Sequence, residues 1–477
     1  MGRFEIDSLV RELCLRPDQI LTGSAAERAY DCDAYTVDRS RPTAVTLPER
    51  TEEVAEIVRW CVMHSVPFTA RGAGTGLSGG ALPALGGVVI STKRLTKILE
   101  IDVPNRCLLA QTGIANRKLS DAVAAHGLHF APDPSSQNVA TLGGNIAENA
   151  GGPHTLKYGV TAPHIRGCRM VTANGEIIEL GGRNGLGGEL DFLGLVVGSE
   201  GTLGIVTEAW VELTPLPREV ETALIAFGAV RPATETVAAI IASGVIPAAL
   251  EFMDRGILAA LRAAFGLVYP DGTDALLLVE CDGDDRAQVS REMAQVEQIA
   301  RDLGAIEIRR AQDAADRAKL WAARKKGVGA MGRLAPTVVT HDGVIPRSAL
   351  PEMLDAVYRI AADHQIGVAN IFHAGDGNLH PCFYFDDRDP DQIRRVVAAG
   401  EAIMRECIAL GGSITGEHGV GVEKLDLMSL MFSEDDLAFQ RDLKRALNPG
   451  DLCNPCKVLP MNKSCVEHKA RWRGTAW

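Results

Sequence analysis

The sequence predicts an α+β fold in more than one domain, on three observations. Its 477 residues exceed the roughly 150 of an ordinary domain about threefold. Past residue 150 strands dominate, and segments 169–173 and 177–180 flank Asn174-Gly175, a pair tolerant of positive φ and so a hairpin signal. The second half repeats a strand–helix–strand pattern, after Thr214-Pro215-Leu216-Pro217, whose two prolines mark a domain boundary.

A polar arm of mixed pattern, part helical, occupies residues 1–40. Residues 43–47 read as a strand. Thr51 is the expected N-cap of the next helix, with Glu52 and Glu53 in its positive first turn. Val54, Ile57, Val58, Cys61 and Val62 give it an apolar face, and it must end near Pro67. Strands follow at 67–70 and 87–92, then a helix over 116–126 stopped by Gly127. Residues 205–213 form another long strand. Beyond the prolines, 223–229, 234–242 and 247–253 make one β-α-β unit, and 275–281, 286–303 and 305–310 a second. Such duplication suggests a ferredoxin-like antiparallel sheet backed by helices. The expected domains are therefore 1–40, 41–217, 218–460 and a tail, 461–477.

Lys and Arg total 49 against 61 Asp and Glu, a net charge of −12. That excludes a general nucleic-acid binder and leaves no basic stripe for an anionic membrane. No apolar run reaches the ~18 residues of a spanning helix, and no secretory signal is readable in MGRFEIDSLVREL. The eleven cysteines are scattered singly, which reads as reduced, cytoplasmic thiols. One CxxC, Cys453-Asn-Pro-Cys456, lacks the second pair that a zinc or iron–sulfur set needs.

Glycine, 49 of 477 residues, is concentrated in loops. Arg71-Gly-Ala-Gly-Thr-Gly-Leu-Ser-Gly-Gly80 can turn consecutive N–H groups onto one anion. It lacks the ending of a Walker loop, and a flexible surface loop is the alternative. Residues 132–152 form a second, long loop of hydroxyl, amide and glycine groups, and 198–204 a third. Long loops in compact domains usually bind something. Three together suggest a ligand with a pyrophosphate and a planar ring.

Farther on, His373 and His380 bracket Ala-Gly-Asp-Gly-Asn-Leu, where Gly375 and Gly377 can fold the segment back so that both imidazoles converge. Glu417 and His418 sit in Gly416-Glu-His-Gly-Val-Gly421. Two His and one Glu with an open position is a set used by catalytic divalent metals.

These motifs, RGAGTGLSGGALP (71–83), APDPSSQ (131–137), GGNIAENAGG (143–152), LKYG (156–159), GSEGTLGIVTE (198–208), FHAGDGNLHP (372–381) and GEHGVG (416–421), resemble the FAD-linked oxidase family of vanillyl-alcohol-oxidase (PCMH) type. Within it the resemblance is strongest to glycolate oxidase (glycolate dehydrogenase) catalytic subunits, with D-lactate and D-2-hydroxyglutarate dehydrogenases as cousins. It implies a two-lobed FAD-binding domain, a ferredoxin-like substrate (cap) domain and a C-terminal helical segment returning to the flavin. Arg71, Gly72, Gly74, Thr75, Gly76, Leu77 and Ser78 would hold the pyrophosphate side of FAD. The rest would be lined by Pro132, Pro134, Ser135, Thr141, Gly143, Gly144, Asn145, Ala147, Asn149, Gly152, Glu200, Gly204, Ile205 and Asn454. Some relatives attach flavin covalently through a His in the first loop; Ala73, Gly74 and Thr75 stand here, so the FAD is expected to be non-covalent.

The resemblance also implies that His373, His380 and Glu417 bind a divalent metal (Zn, Mn or Fe), that His418 is the base, and that Arg324 clamps the substrate carboxylate. Lys325 and Lys326 read as surface cations. Dicarboxylate-binding relatives carry a Lys and a polar residue where Thr340 and Cys382 stand here, which favours a small acid, glycolate or D-lactate, oxidised to the 2-oxo acid by hydride transfer. Cys456 replaces the glycine of the family's Asn-Pro-Gly-Lys.

With no haem, iron–sulfur or Rossmann signature, the electron acceptor is expected to be external: oxygen, a quinone, an electron-transfer flavoprotein, or companion flavin and iron–sulfur subunits at the inner face of the membrane. The alternatives are a D-2-hydroxyglutarate dehydrogenase, a non-catalytic flavin subunit and a nicotinamide-linked dehydrogenase.

Overall fold

A computed structural model describes residues 6–185 and 190–460; the expected tail at 461–477 lies outside the described residues. The chain forms two compact units. One comprises residues 1–151, 160–216 and those from 417 on; the other comprises 152–159 and 217–416. Neither unit is contiguous, whereas the expected domains were.

The first unit holds two sheets. In the smaller, strands run in the order Ile20–Leu21, Ala44–Thr46, Val88–Ser91, Phe68–Arg71, the last three parallel. Parallel strands need a crossover; helix Thr51–Met63 supplies the one from Ala44–Thr46 to Phe68–Arg71, with Val88–Ser91 between them in the sheet. Its Val54, Ile57, Val58 and Cys61 pack with Phe68, Val88 and Ile90 in one core. Thr51 is the first helical residue and not the cap: Arg50 is, and the Thr51 hydroxyl instead lies 2.9 Å from Thr207 Oγ1.

The larger sheet is antiparallel, ordered Ile98–Asp102, Cys107–Gln111, Gly204–Glu212, Ile165–Thr172, Ile177–Gly181. The expected hairpin forms, but with Val171 opposite Ile177. Its connection is longer than a two-residue turn, and of Asn174 and Gly175 only Gly175 takes a positive φ, +83°. Residues 132–152 are not one irregular loop either. Thr141 caps a short helix, Leu142–Glu148, accepting the Gly144 N–H at 3.2 Å.

In the second unit, strands Ala305–Arg310, Glu219–Phe227, Ala275–Gly283 and Ala249–Asp254 lie side by side in that order. The spatial order fourth, first, third, second is that of the ferredoxin-like motif, with helices Val230–Ala242 and Arg286–Asp302 as its crossovers. Helix Arg255–Phe265 lies between the second and third strands and was not expected. The sheet continues beyond Ala249–Asp254 through Gly367–His373, which pairs Glu251 with His373. That register sets up the chemistry of the unit.

Gly87 joins the strands of the smaller sheet at φ +77°, and a Cβ there would stand 2.0 Å from the Pro67 carbonyl oxygen, a backbone atom. Gly87→Ala should therefore lower stability by more than about 2 kcal/mol, since left-handed strain alone costs ~1–2 kcal/mol. Gly329→Ala, helical and with nothing within 4 Å, should be neutral or mildly stabilising. Equal melting temperatures for the two variants would contradict this.

Candidate cofactor and metal site

In the first unit the glycine loop leaves strand Phe68–Arg71 and runs half-buried over residues 72–77. Among the described residues, the backbone N–H groups of Ala73, Gly74, Thr75, Gly76 and Leu77 find no acceptor in the protein. Buried or half-buried amides are normally satisfied, so this run fits a polyanion. A Cβ on Gly72 would lie 2.2 Å from Thr141 Oγ1, which brings the loop against the capped end of helix Leu142–Glu148. Gly143 is confined less severely, 3.0 Å from Thr112 Cβ on the same test. These closures form a cradle in which backbone, not side chains, faces a ligand; the residues fit the pyrophosphate of FAD.

Several expected cofactor residues are engaged inside the protein. Arg71 donates to the Cys32 carbonyl at 2.7 Å and lies over the Tyr30 ring, tying the N-terminal arm to the loop. Asn145 donates to Asn116, which donates to the Pro132 carbonyl. Asn149, at φ +52°, accepts the Ala162 N–H. The Gly152 N–H goes to Thr155 Oγ1, and Ile205 belongs to the apolar core. Ser135 is exposed, while Leu77, Gly144 and Ala147 are half-buried and Pro132, Pro134 and Gly204 are buried.

Glu200 is buried and accepts the Val420 N–H at 2.6 Å and the Gly421 N–H at 2.7 Å. It thereby fixes the loop that follows His418. Ser78 Oγ donates to the His418 carbonyl at 2.8 Å, and the Val422 N–H donates to the Ser78 carbonyl. The end of the glycine loop and the His418 loop are thus one hydrogen-bonded structure. Gly419 fits between two carboxylates: a Cβ would stand 2.5 Å from Glu148 Oε2 and 2.7 Å from Glu200 Oε1. Burial raises both acids, and the Glu200 charge raises Glu148 further. Asn454 donates to the Glu200 and Gly80 carbonyls, and Lys457 to the Leu82 carbonyl. Burial pushes Lys457 down to about 7, against the pull of Asp33 and Glu200.

Cys456 takes φ +61°, which explains why a glycine suits the position. It is disulfide-bonded, contrary to the reading of reduced thiols throughout, while Cys453 is a buried thiol 3.2 Å from the Gly201 carbonyl. The CxxC is accordingly not a ligand pair.

In the second unit, His373 ends strand Gly367–His373 and a short turn, Ala374–Asp376, reverses the chain. Gly377 makes the reversal at φ +76°, while Gly375 keeps a negative φ and is instead packed closely against Leu156. The imidazoles of His373 and His380 converge, as the glycines between them allow, with ring centres 5.1 Å apart and donor atoms within 4.8 Å. Asp342 Oδ1 lies 3.5 Å from His380 Nε2. Asp342 Oδ2 accepts from Thr415 Oγ1 at 2.7 Å and the Gly416 N–H at 2.8 Å. Glu417 and His418 are the next two residues along the chain. Two imidazoles beside a carboxylate fit a divalent ion.

Two acids here escaped the sequence reading. Glu251, fully buried on an apolar strand, accepts from His373 Nδ1 at 2.7 Å and from Arg324 Nε. Burial alone would raise it; Arg324 and His373 outweigh that and hold it below the ordinary carboxylate range. Asp342 sits in an otherwise plain Thr-His-Asp-Gly stretch. Glu251 falls in the expected strand 247–253, where an acid among apolar residues was its one signal; Asp342 had none. Lys325 and Lys326 are exposed, and Thr340 and Cys382 are cross-strand partners, Oγ1 to Sγ 3.4 Å.

Sequence and fold comparisons agree on the class of protein. Residues 42–181 match the FAD binding domain and 216–458 the C-terminal domain of FAD linked oxidases. The chain belongs to the FAD-linked oxidase family and is an FAD-linked oxidoreductase. It is 42% identical over 441 residues to glycolate oxidase subunit GlcD of Escherichia coli (strain K12), covering 92% of this chain and 88% of that one. It is 31% identical to a D-lactate dehydrogenase of Anaerostipes hadrus, covering 93% and 95%. Its fold resembles that of p-cresol methylhydroxylase, with TM-score 0.79 at 18% identity over 95% and 96% of the two chains. Among the described residues no helix is long and apolar enough to cross a membrane.

Asp33, buried in the first unit, accepts the Tyr35 and Ala81 N–H groups, yet burial raises it to about 6. A raised acid adds stability that is complete below its unfolded value near 4 and is lost as pH rises through about 6. Relative to Asp33→Asn, the wild type should lose stability between about pH 4 and 6 in denaturant titrations. Parallel profiles for the two proteins would refute the assignment.

Proposed function

We propose that this protein oxidises a small 2-hydroxy acid, glycolate or D-lactate, to the 2-oxo acid, with FAD held non-covalently and a divalent metal beside it. The convergence of His373 and His380 next to Asp342, which binds Thr415 and Gly416 just ahead of Glu417 and His418 in the chain, carries this reading. The relatives' names support the substrate class.

FAD, when bound on the glycine loops, supplies the acceptor for the hydride that leaves the substrate Cα. A divalent metal held by His373, His380 and Glu417 supplies a Lewis acid that lowers the hydroxyl pKa. His418 takes the hydroxyl proton; an imidazole titrates close to working pH and suits the task. Arg324 gives its Nε to Glu251, which leaves the terminal nitrogens of the guanidinium for a carboxylate in two-point contact. Thr340 and Cys382 offer no charge to a second carboxylate, which favours a monocarboxylate over 2-hydroxyglutarate. Electrons leave to an external acceptor, and the word subunit in a relative's name supports companion subunits, which would hold a chain of this kind at a membrane face from the cytoplasm.

Anaerobic mixing with glycolate, D-lactate, L-lactate and D-2-hydroxyglutarate should bleach the flavin with glycolate or D-lactate and fastest with one of them. Bleaching by the L-acid alone would overturn the proposal. Precipitation with acid should leave the yellow colour in the supernatant. His418→Ala should slow flavin reduction by roughly 10²–10⁴-fold with flavin content unchanged; an unchanged rate would instead favour a non-catalytic flavin subunit.

A further inference from the structure

Glu251 lies where its strand should be apolar, between Leu250 and Phe252, and it is fully buried. Among the described residues its hydrogen-bond partners are His373 and Arg324, one on each oxygen. The contact with His373 is written into the sheet, because Glu251 and His373 are directly opposed in the antiparallel register. Opposed residues share a face and stand within about 5.5 Å, so the pair is fixed by two strands and not by loop geometry. Arg324 reaches the other oxygen from helix Ala314–Ala330.

We propose that Glu251 is the positioning residue of this site: it holds His373 as the Nδ1–H tautomer, leaving the Nε2 lone pair for a metal, and with its second oxygen aims Arg324 at the substrate carboxylate. This rests on the metal-assisted reading above and deepens it. A carboxylate can only accept, so the proton shared with His373 belongs to Nδ1. The same group that orients the ligand raises its basicity, and loss of such partners typically weakens metal binding 10–100-fold. One side chain thereby couples the metal ligand to the carboxylate clamp.

The chemistry distinguishes Glu from Gln sharply. Arg324 has only donors, so in Glu251→Gln the amide oxygen must face it and the amide N–H₂ must face His373. Nδ1 then has to accept, and the ring proton moves to Nε2, where it blocks ligation.

The test is Mn²⁺ titration of the flavin-loaded protein, followed by the electron paramagnetic resonance of free Mn²⁺, for wild type, Glu251→Gln and His373→Ala. Flavin content and melting temperature report folding. The expected result is at least ~10-fold weaker Mn²⁺ binding in Glu251→Gln, with flavin retained, and a rise in KM for the acid. Long-range ¹H–¹⁵N correlation on ¹⁵N-histidine wild type, assigned by loss of signal in His373→Ala, should show His373 protonated at Nδ1. This second measurement decides the matter if the Gln variant does not fold. Equal Mn²⁺ affinity in wild type and a folded Glu251→Gln, or an Nε2–H tautomer in the wild type, overturns the role of Glu251 alone. A wild type that binds neither Mn²⁺ nor Zn²⁺ overturns the metal reading and this role with it.

Discussion

Taking a carboxylate out of water costs several kcal/mol unless hydrogen bonds and opposite charge answer it, and both units of this chain are organised around that constraint. In the first, Asp33, Glu148 and Glu200 are set against Lys457, and Glu200 is satisfied by two backbone N–H groups of the loop after His418. In the second, Glu251 is satisfied by His373 and Arg324, and Asp342 by Thr415 and Gly416. Each network ends on a residue to which the proposed function gives a chemical task. The charges that are expensive to bury are the ones that hold His418, His373 and Arg324 in place.

Backbone approach is the complementary requirement. The glycine loop presents a run of amides without acceptors, and glycine is obligatory where Thr141 and the Ser78 carbonyl press on Gly72 and Gly421. Ser78 closes the circle, since its hydroxyl and its carbonyl both bind the His418 loop. A loop whose amides suit an anion at one end thus anchors the loop of a candidate base at the other through a single serine. The carboxylates between which Gly419 fits exclude even a methyl group there.

Much of this was legible in the sequence, and the gaps have physical causes. The β-α-β duplication is legible because short apolar runs alternate with longer helical stretches, and the observed order follows. The His373–His380 convergence is legible because glycines between them permit a reversal. Helix Leu142–Glu148 was hidden because Gly143 and Gly144 open it and Asn145 follows, residues that favour loops. Thr51 looked like a cap by type, but its hydroxyl has a partner on a distant strand. Glu251 and Asp342 escape for a deeper reason: a lone acid, in an apolar strand or between two strands, says nothing of its partners, which are brought together only by the fold.

The proposed chemistry requires flavin and metal on the same polypeptide. The direct measurement is to count both in one purified sample, flavin by its absorbance after release and metal by elemental analysis, after dialysis against metal-free buffer and reloading. One FAD and one divalent ion per chain is the predicted result. Full flavin with no metal retained on reloading, or a colourless protein that takes up no FAD, would contradict it.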